Sequence, residues 1–167
     1  IDTVLPTTTG VGSTTANGTY GIADVITLSV GFSEEIFVTG TPSLHLETGD
    51  VDAFASYSSG SGTNTLSFQY TVQAGDYSAD LDQLSANALD LNGGSIKDAA
   101  GNNAILTLAA PGAAGSLGAN ADLVIDPPPI TTGVGSTTAN GTYDIVDVIT
   151  LTVGFSEEVF VTGIPRL

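Results

Sequence analysis

Residues 25–32 read Val-Ile-Thr-Leu-Ser-Val-Gly-Phe, and every second side chain from Ile26 to Phe32 is large and apolar. Residues 66–72, Leu-Ser-Phe-Gln-Tyr-Thr-Val, alternate in the same way. Alternation with a period of two is typical of half-buried strands that place one face on a core. Turn residues recur at intervals of about eight to twelve positions, which favours an antiparallel sandwich of about seven to nine short strands per module. The pattern therefore predicts an all-β fold.

The same stretch occurs twice, because residues 8–42 recur at residues 131–165, 123 positions later, with 30 of the 35 residues identical. Self-similarity at a fixed period is the signature of a tandem array. A repeat of this length is large enough to form its own core. We therefore expect residues 1–126 to form a complete module, residues 127–130 a proline-rich linker, and residues 131–167 the first strands of a second module. On this interpretation residue 1 lies at a module boundary, whereas Leu167 lies inside a repeat.

The charge balance excludes several classes of partner. Eighteen acidic residues face only two basic ones, Lys97 and Arg166, which gives a net charge of -16. Nucleic acids and anionic membrane surfaces are disfavoured, because proteins bind both through Lys and Arg. The absence of cysteine excludes disulfides and thiolate metal sites, and no run of about 18 apolar residues is present for insertion into a membrane. Residues 109–121 are small and without periodicity, which predicts a loop.

Several phrases of the first repeat resemble the immunoglobulin-like and cadherin-like tandem repeats of large bacterial surface proteins and adhesins. They are Gly18–Tyr20 followed by Asp24–Thr27, Phe32–Glu34, Gly62–Phe68, Gln73–Asp82, Lys97–Asn102 and Leu123–Asp126. The resemblance covers essentially the whole first module. It implies an Ig-like β-sandwich, an extracellular location at the cell surface, a spacer or adhesive role, and often bound Ca²⁺. Glu35 departs from the family pattern, in which proline commonly follows the Ser-Glu pair, and makes this phrase more acidic.

Acidic residues are concentrated in the turns, which an up-and-down strand order would bring to the two ends of the sandwich. One end would gather Asp24, Asp50, Asp52, Asp76, Asp80 and Asp82, and the other would gather Glu34, Glu35, Asp98 and Asn102 beside Asp2. Carboxylates in close proximity raise one another's pKa, and two basic side chains cannot neutralise so many. Ca²⁺ is the expected counter-charge, since it accepts irregular shells of carboxylate and carbonyl oxygens. The alternative is that these are turn residues that bond to their own backbone.

A further Ca²⁺ site is expected at the junction of the repeats. Its candidate ligands are Asp126 in the linker and Glu157 and Glu158 in the second copy, with Asp98 as an additional ligand. A cation held there would stiffen the junction. At the affinity usual for extracellular modules, its occupancy would follow the Ca²⁺ concentration of the medium.

The remaining motifs favour structural roles. Asn17-Gly18-Thr19 and Asn140-Gly141-Thr142 match the N-glycosylation pattern, although Asn-Gly is also a common tight-turn dipeptide. The single histidine, His45, is expected on the outward face of a strand, and no Ser has a candidate base beside it. Glu34 and Glu35 are adjacent on a strand and so point to opposite faces, which argues against a glycosidase pair. We expect no enzymatic activity.

Two functions fit these observations. The first is a non-enzymatic spacer module of a long extracellular repeat protein, an adhesin stalk or a surface fibre, with Ca²⁺ stiffening the module ends. The second is a filament subunit: residues 131–167 cannot by themselves bury Ile149, Leu151, Val153 and Phe155. Strands of an identical subunit would complete them and produce head-to-tail polymerisation. The expected partners are therefore neighbouring repeats or identical subunits.

Overall fold

A computed structural model describes residues 2–126, 128–156 and 158–166. The chain divides into two compact units, Ile1–Pro127 (unit 1) and Pro128–Leu167 (unit 2). Among the described residues, no helix is both long enough and apolar enough to span a membrane.

Unit 1 consists of nine strands and one helical turn within its described residues. These elements are β1 (Thr8–Ser13), β2 (Gly18–Tyr20), β3 (Val25–Thr39), β4 (Ser43–Leu46), β5 (Ala53–Ser59), β6 (Thr63–Thr71), β7 (Leu89–Asp90), β8 (Ser95–Lys97), α1 (Leu117–Asn120) and β9 (Leu123–Ile125).

Seven of these strands form one curled antiparallel sheet. Its order is β1-β3-β6-β5-β4-β7, and β8 pairs with the far end of β3. The strands β2 and β9 form a separate pair, which is parallel. The predicted all-β, antiparallel, sandwich-like fold is thus confirmed, with β2 and β9 as the parallel exception.

The core is built on β3, a strand of 15 residues. Its inward side chains Ile26, Leu28 and Val30 lie opposite Tyr70, Phe68 and Leu66 of β6, and all six are buried. Apolar cross-strand pairs of this kind are the unit of sheet stabilisation. The alternation seen in both segments of the sequence is therefore the inner face of two neighbouring strands.

The register of β3 shifts between Gly31 and Ile36, and beyond this shift the strand pairs with β8. The change of partner curls the sheet and brings Lys97 opposite Phe37. It also places Ser33–Glu35 outside the regular ladder, at the end of the unit where the N-terminal segment enters.

The predicted loop at residues 109–121 is more ordered than its sequence suggests. It contains α1, whose N-cap Ser116 accepts a hydrogen bond from the Ala119 N–H, and it places Leu117 fully inside the core. The buried side chain of Gln83 fixes the segment, because its amide donates to the Ala109 carbonyl and its oxygen accepts from the Leu117 N–H. A segment whose sequence has no apolar periodicity is thus ordered by hydrogen bonds to Gln83.

Unit 2 contains two strands within its described residues, β10 (Thr131–Ser136) and β11 (Leu151–Phe155). They pair antiparallel with the register of β1 and β3: Thr131 faces Phe155 as Thr8 faces Phe32, and the same irregularity follows the first pair. The apolar face differs in its surroundings, because Leu151 is 52% exposed whereas its counterpart Leu28 is fully buried. The pairing of β1 with β3 therefore recurs in unit 2, but residues 141–143, the counterpart of β2, form no strand, and this apolar face is buried only in unit 1.

Leu28 and Leu151 form a matched pair for testing this difference. Leu28→Ala should lower the free energy of unfolding of unit 1 by about 2–5 kcal/mol, because it removes buried methyl groups and leaves a cavity. Leu151→Ala should change it by less than about 0.5 kcal/mol, as is usual for exposed positions. Urea denaturation followed by circular dichroism measures both. Equal losses in the two variants would contradict the assignment of the core.

Candidate metal centre

Three carboxylates converge at the end of unit 1 where the N-terminal segment enters. They belong to Asp2, Glu34 and Asp98, and one oxygen from each lies within 4.8 Å of the others. In the part of the chain that the structure describes, this is the only group of three potential metal-binding side chains with that spacing. All three were expected at this end of the sandwich.

The strand pairing explains why Glu34 and Asp98 meet. Glu34 lies at the register shift of β3, and Asp98 directly follows β8, which pairs with the adjoining part of β3. Asp98 is only 5% exposed. Its carboxylate accepts hydrogen bonds from the Asn102 N–H at 2.8 Å and from the Asn102 side-chain amide at 2.6 Å. The tight turn 98–102 thus fixes the orientation of this carboxylate.

Asp2 reaches the cluster because the N-terminal segment is tied to the body of unit 1. The Asn102 side-chain amide lies 3.3 Å from the Asp2 carbonyl oxygen and 3.4 Å from that of Val4. Further along, the Ile105 N–H donates to the Pro6 carbonyl at 2.8 Å, and the Ser33 N–H donates to the Thr7 carbonyl. Asn102 therefore joins two of the three acidic residues.

Within the cluster, the surroundings of Glu34 disfavour its negative charge. Partial burial, followed by the negative charges of Asp2 and Asp98, raises the pKa of Glu34. For Asp98, burial acts in the same direction, but hydrogen bonds from Asn102 and from the backbone N–H groups of residues 100–102 lower its pKa on balance. Hydrogen bonds thus stabilise the ionised form of Asp98, whereas burial and the neighbouring negative charges destabilise the ionised form of Glu34.

The geometry suits a hard divalent cation. Two oxygens bound to one Ca²⁺ stand at most about 4.6–5.2 Å apart, and the oxygens of the three carboxylates lie within 4.8 Å of one another. Asp98 is largely satisfied by Asn102 and by the backbone of its turn, whereas Asp2 accepts one hydrogen bond, from the Val4 N–H. A carboxylate oxygen has two lone pairs, so acceptor capacity for a shared ion remains on Asp2.

The six acidic residues expected at the other end do not form one cluster, since no three of them share the spacing found above. Asp24 accepts a hydrogen bond from the Gly21 N–H and closes a turn. Asp76 is buried and accepts hydrogen bonds from the Tyr70 hydroxyl at 2.7 Å and the Gln73 N–H at 2.8 Å. For these two residues, the turn interpretation describes what the structure contains.

Asp50 and Asp52 line a cleft of about 720 Å³ together with Asp76. Phe54 and Tyr70 contribute apolar surface to the same cleft. The Asp76 carboxylate is already bonded to Tyr70 and Gln73, and its hydrogen bond from the Tyr70 hydroxyl contributes, after burial, to a strong rise in the pKa of Tyr70. These bonds make Asp76 a structural part of the cleft wall.

Asp80 and Asp82 lie elsewhere, beside Asp122. Burial, then the charges of Asp122 and Asp82, raise the pKa of Asp80. Asp82 accepts hydrogen bonds from the N–H groups of Gln83 and Gly112. Asp122 was not expected here; it comes close to this pair because the segment before Asp82 bonds to β9, with Ser78 bridging Ile125 and the Leu81 N–H donating to the Leu123 carbonyl.

The expected junction site stays a prediction. Asp126 belongs to unit 1, where its N–H donates to the Tyr20 carbonyl. Glu158 is an exposed residue of unit 2, and Glu157 lies outside the described residues.

His45 is partly exposed on β4 with its ring 6.2 Å from that of Phe54.

Comparisons with protein-family models, with curated proteins and with solved structures give no match to this chain.

The pKa of Glu34 gives a test of the cluster without metal. A carboxyl group whose pKa is raised by folding contributes stability below its ordinary pKa, and this stability is lost as the pH rises through the raised value. In EDTA at neutral pH, Glu34→Gln should therefore raise Tm, and the gain should disappear below the ordinary pKa of glutamate. Glu35→Gln removes the same charge outside the cluster and should give a smaller change. Thermal melts at neutral and acidic pH measure both, and equal responses would contradict the assigned repulsion.

Proposed function

We propose that this chain is a non-enzymatic spacer module of a long extracellular repeat protein, such as an adhesin stalk or a surface fibre. Ca²⁺ bound at the module ends stiffens the array. The extracellular, surface-bound setting is part of the proposal and rests on the sequence resemblance described above.

The observation that carries the proposal is the repeat itself. Two segments 123 positions apart share 30 of 35 residues and adopt the same strand register, including the same irregularity. Near-identity over this length is typical of arrays in which each unit contacts only its neighbours. A spacer needs such a series of equivalent modules and no catalytic group.

The acidic cluster supports the role of Ca²⁺. Asp2 precedes the first repeat much as Asp126 precedes the second, and Glu157 is the counterpart of Glu34. Since Asp2 and Glu34 meet in unit 1, the same pairing is expected for Asp126 and Glu157. The site would then recur at each junction, where a cation fixes the linker to the module that follows it.

Calcium should stabilise unit 1. If Asp2, Glu34 and Asp98 bind Ca²⁺ with the affinity of about 0.1–1 mM that is common in extracellular modules, a few millimolar Ca²⁺ should raise Tm by about 3–10 °C. Differential scanning calorimetry of the 167-residue chain with Ca²⁺, with Mg²⁺ and with EDTA measures the effect.

Matched variants locate the site. Glu34→Gln should abolish the Ca²⁺-dependent rise while raising Tm in EDTA, so that its two effects have opposite signs. Glu35→Gln should retain the rise. An unchanged Tm in Ca²⁺, or a full response in Glu34→Gln, would rule out this cluster as the Ca²⁺ site.

A second candidate function is a filament subunit that polymerises head-to-tail by strand complementation through residues 131–167. The exposed face of unit 2 favours it: Ile149, Leu151 and Phe155 are solvent-exposed, whereas their counterparts Ile26, Leu28 and Phe32 are buried. Strands equivalent to β4–β9 are the complement that this face has in unit 1.

The filament is the second candidate for two physical reasons. Within this chain there are two copies of the 35-residue segment but one set of strands β4–β9. If residues 131–165 of one subunit replaced residues 8–42 of another against these strands, the displaced copy would be exposed instead. The second copy is also the weaker competitor. Val146 replaces Ala23 at a left-handed position, where φ is +79° and +72° respectively, and a β-branched residue is strained there. Val159 replaces the fully buried Ile36, which lowers stability by about 0.5–1.5 kcal/mol in a core.

Assembly of the chain in solution tests the filament. Leu151→Asp should abolish concentration-dependent light scattering if the apolar face of unit 2 is the interface, whereas Thr152→Asp, on the other face of β11, should not. A wild-type chain that stays monomeric at all concentrations contradicts polymerisation. The mass of the polypeptide from its natural source separates the two functions, since an array must be far heavier than 16.7 kDa.

A further inference from the structure

One heptapeptide occurs in two different environments. Thr14–Tyr20 and Thr137–Tyr143 are identical, and each contains an Asn-Gly pair, Asn17-Gly18 and Asn140-Gly141. The bond within each segment is preserved, because the hydroxyl of Tyr20 donates to the Ala16 carbonyl as that of Tyr143 donates to the Ala139 carbonyl. The difference between the two lies in contacts with the rest of the chain.

In unit 1 the Asn-Gly pair is held on both sides by Asp122. The Gly18 N–H donates to the Asp122 carbonyl at 3.0 Å, and the Asn17 side-chain oxygen accepts from the Asp122 N–H at 3.1 Å. Gly18–Tyr20 then continues as β2 alongside β9. Both groups of the pair that would have to react, the Gly18 backbone nitrogen and the Asn17 side chain, are therefore held in hydrogen bonds to Asp122.

In unit 2 the same pair has neither contact within the described residues. Both Asn-Gly pairs are exposed, but residues 141–143 form no strand, whereas Gly18–Tyr20 is β2. Gly141 has no Cβ to hinder the approach of its nitrogen to the preceding side chain. Its N–H makes no hydrogen bond to another described backbone group.

These differences matter for a known reaction of Asn-Gly pairs. The Gly141 backbone nitrogen, on losing its proton to solvent, attacks the side-chain carbonyl carbon of Asn140. A C–N bond forms in a five-membered succinimide, the bond to Nδ2 breaks, and ammonia leaves. Water then opens the ring at one of its two carbonyls and gives aspartate or isoaspartate, so that the reaction uses one water and needs no oxidant.

We propose that Asn140 is a site of spontaneous deamidation, from which its twin Asn17 is protected by the pairing of β2 with β9. The reaction adds one negative charge to an already acidic chain. In the isoaspartate product it also inserts a backbone carbon next to Gly141–Tyr143, the segment that corresponds to β2. The extra backbone carbon of isoaspartate shifts the spacing that Gly18–Tyr20 uses to pair with β9 in unit 1.

A third Asn-Gly pair, Asn92-Gly93, is constrained in a different way. Both residues adopt left-handed backbone conformations, with φ of +47° and +76°. The Asn92 side-chain amide lies 3.3 Å from the Thr41 carbonyl, and the Gly94 N–H closes the turn on the Leu91 carbonyl. We expect slow reaction at this position.

Peptide mapping by mass spectrometry tests the proposal on the 167-residue chain. After incubation at mildly alkaline pH, deamidation at Asn140 should be at least about tenfold faster than at Asn17, because reaction at Asn17 requires local separation of β2 from β9. Labelling by an isoaspartate methyltransferase should follow Asn140 and vanish in Asn140→Gln. Equal rates at the two positions, or no reaction at Asn140, would overturn the proposal.

Denaturation provides the internal control. In concentrated urea the two identical heptapeptides lose their different surroundings, and the ratio of the two rates should fall to about one. A ratio that persists in urea would mean that structure does not protect Asn17 and would also overturn the proposal.

Discussion

Unit 1 depends on the requirement that the apolar face of one long strand be covered. Strand β3 pairs with β1, β6 and β8, and its inward residues Ile26, Leu28 and Val30 form the centre of the core. Because β3 changes partners at the register shift, the same strand that builds the core also places Glu34 beside Asp98. The fold and the candidate metal centre therefore have a common origin.

The local sequence was sufficient to predict a strand where the alternation of neighbouring side chains shows which of them are buried. The alternation in residues 25–32 and 66–72 predicted two half-buried strands, because a strand of eight residues shows its period in the sequence. The pairing of β2 with β9 was not predictable, since strands of three residues show no period and these two lie about a hundred positions apart. Asp122 was missed, and Asp80 and Asp82 were grouped with Asp24, because the bonds between the segment around Leu81 and β9 are equally invisible in the sequence.

The candidate site was predictable to a similar extent. An up-and-down strand order that brings turns to one end predicted Glu34 and Asp98 with Asp2, but the same reasoning was wrong for the six acidic residues assigned to the other end, which do not form one cluster. The role of Asn102 in tying the Asp2 and Val4 carbonyls to the Asp98 turn depends on side-chain geometry that a turn sequence does not specify. In the loop at residues 109–121, Gln83 and Asp82 hold the backbone that brings Leu117 into the core, and the loop's own sequence does not specify these contacts.

The parallel pairing of β2 with β9 has a mechanical consequence. A force that pulls β2 toward the N-terminus and β9 toward the C-terminus acts in opposite directions along their ladder, because the strands are parallel. The hydrogen bonds of this ladder are then loaded in shear together rather than opened one at a time. Once the force reaches β2 through β1, the β2–β9 pair has the strand geometry that resists stretching along the chain.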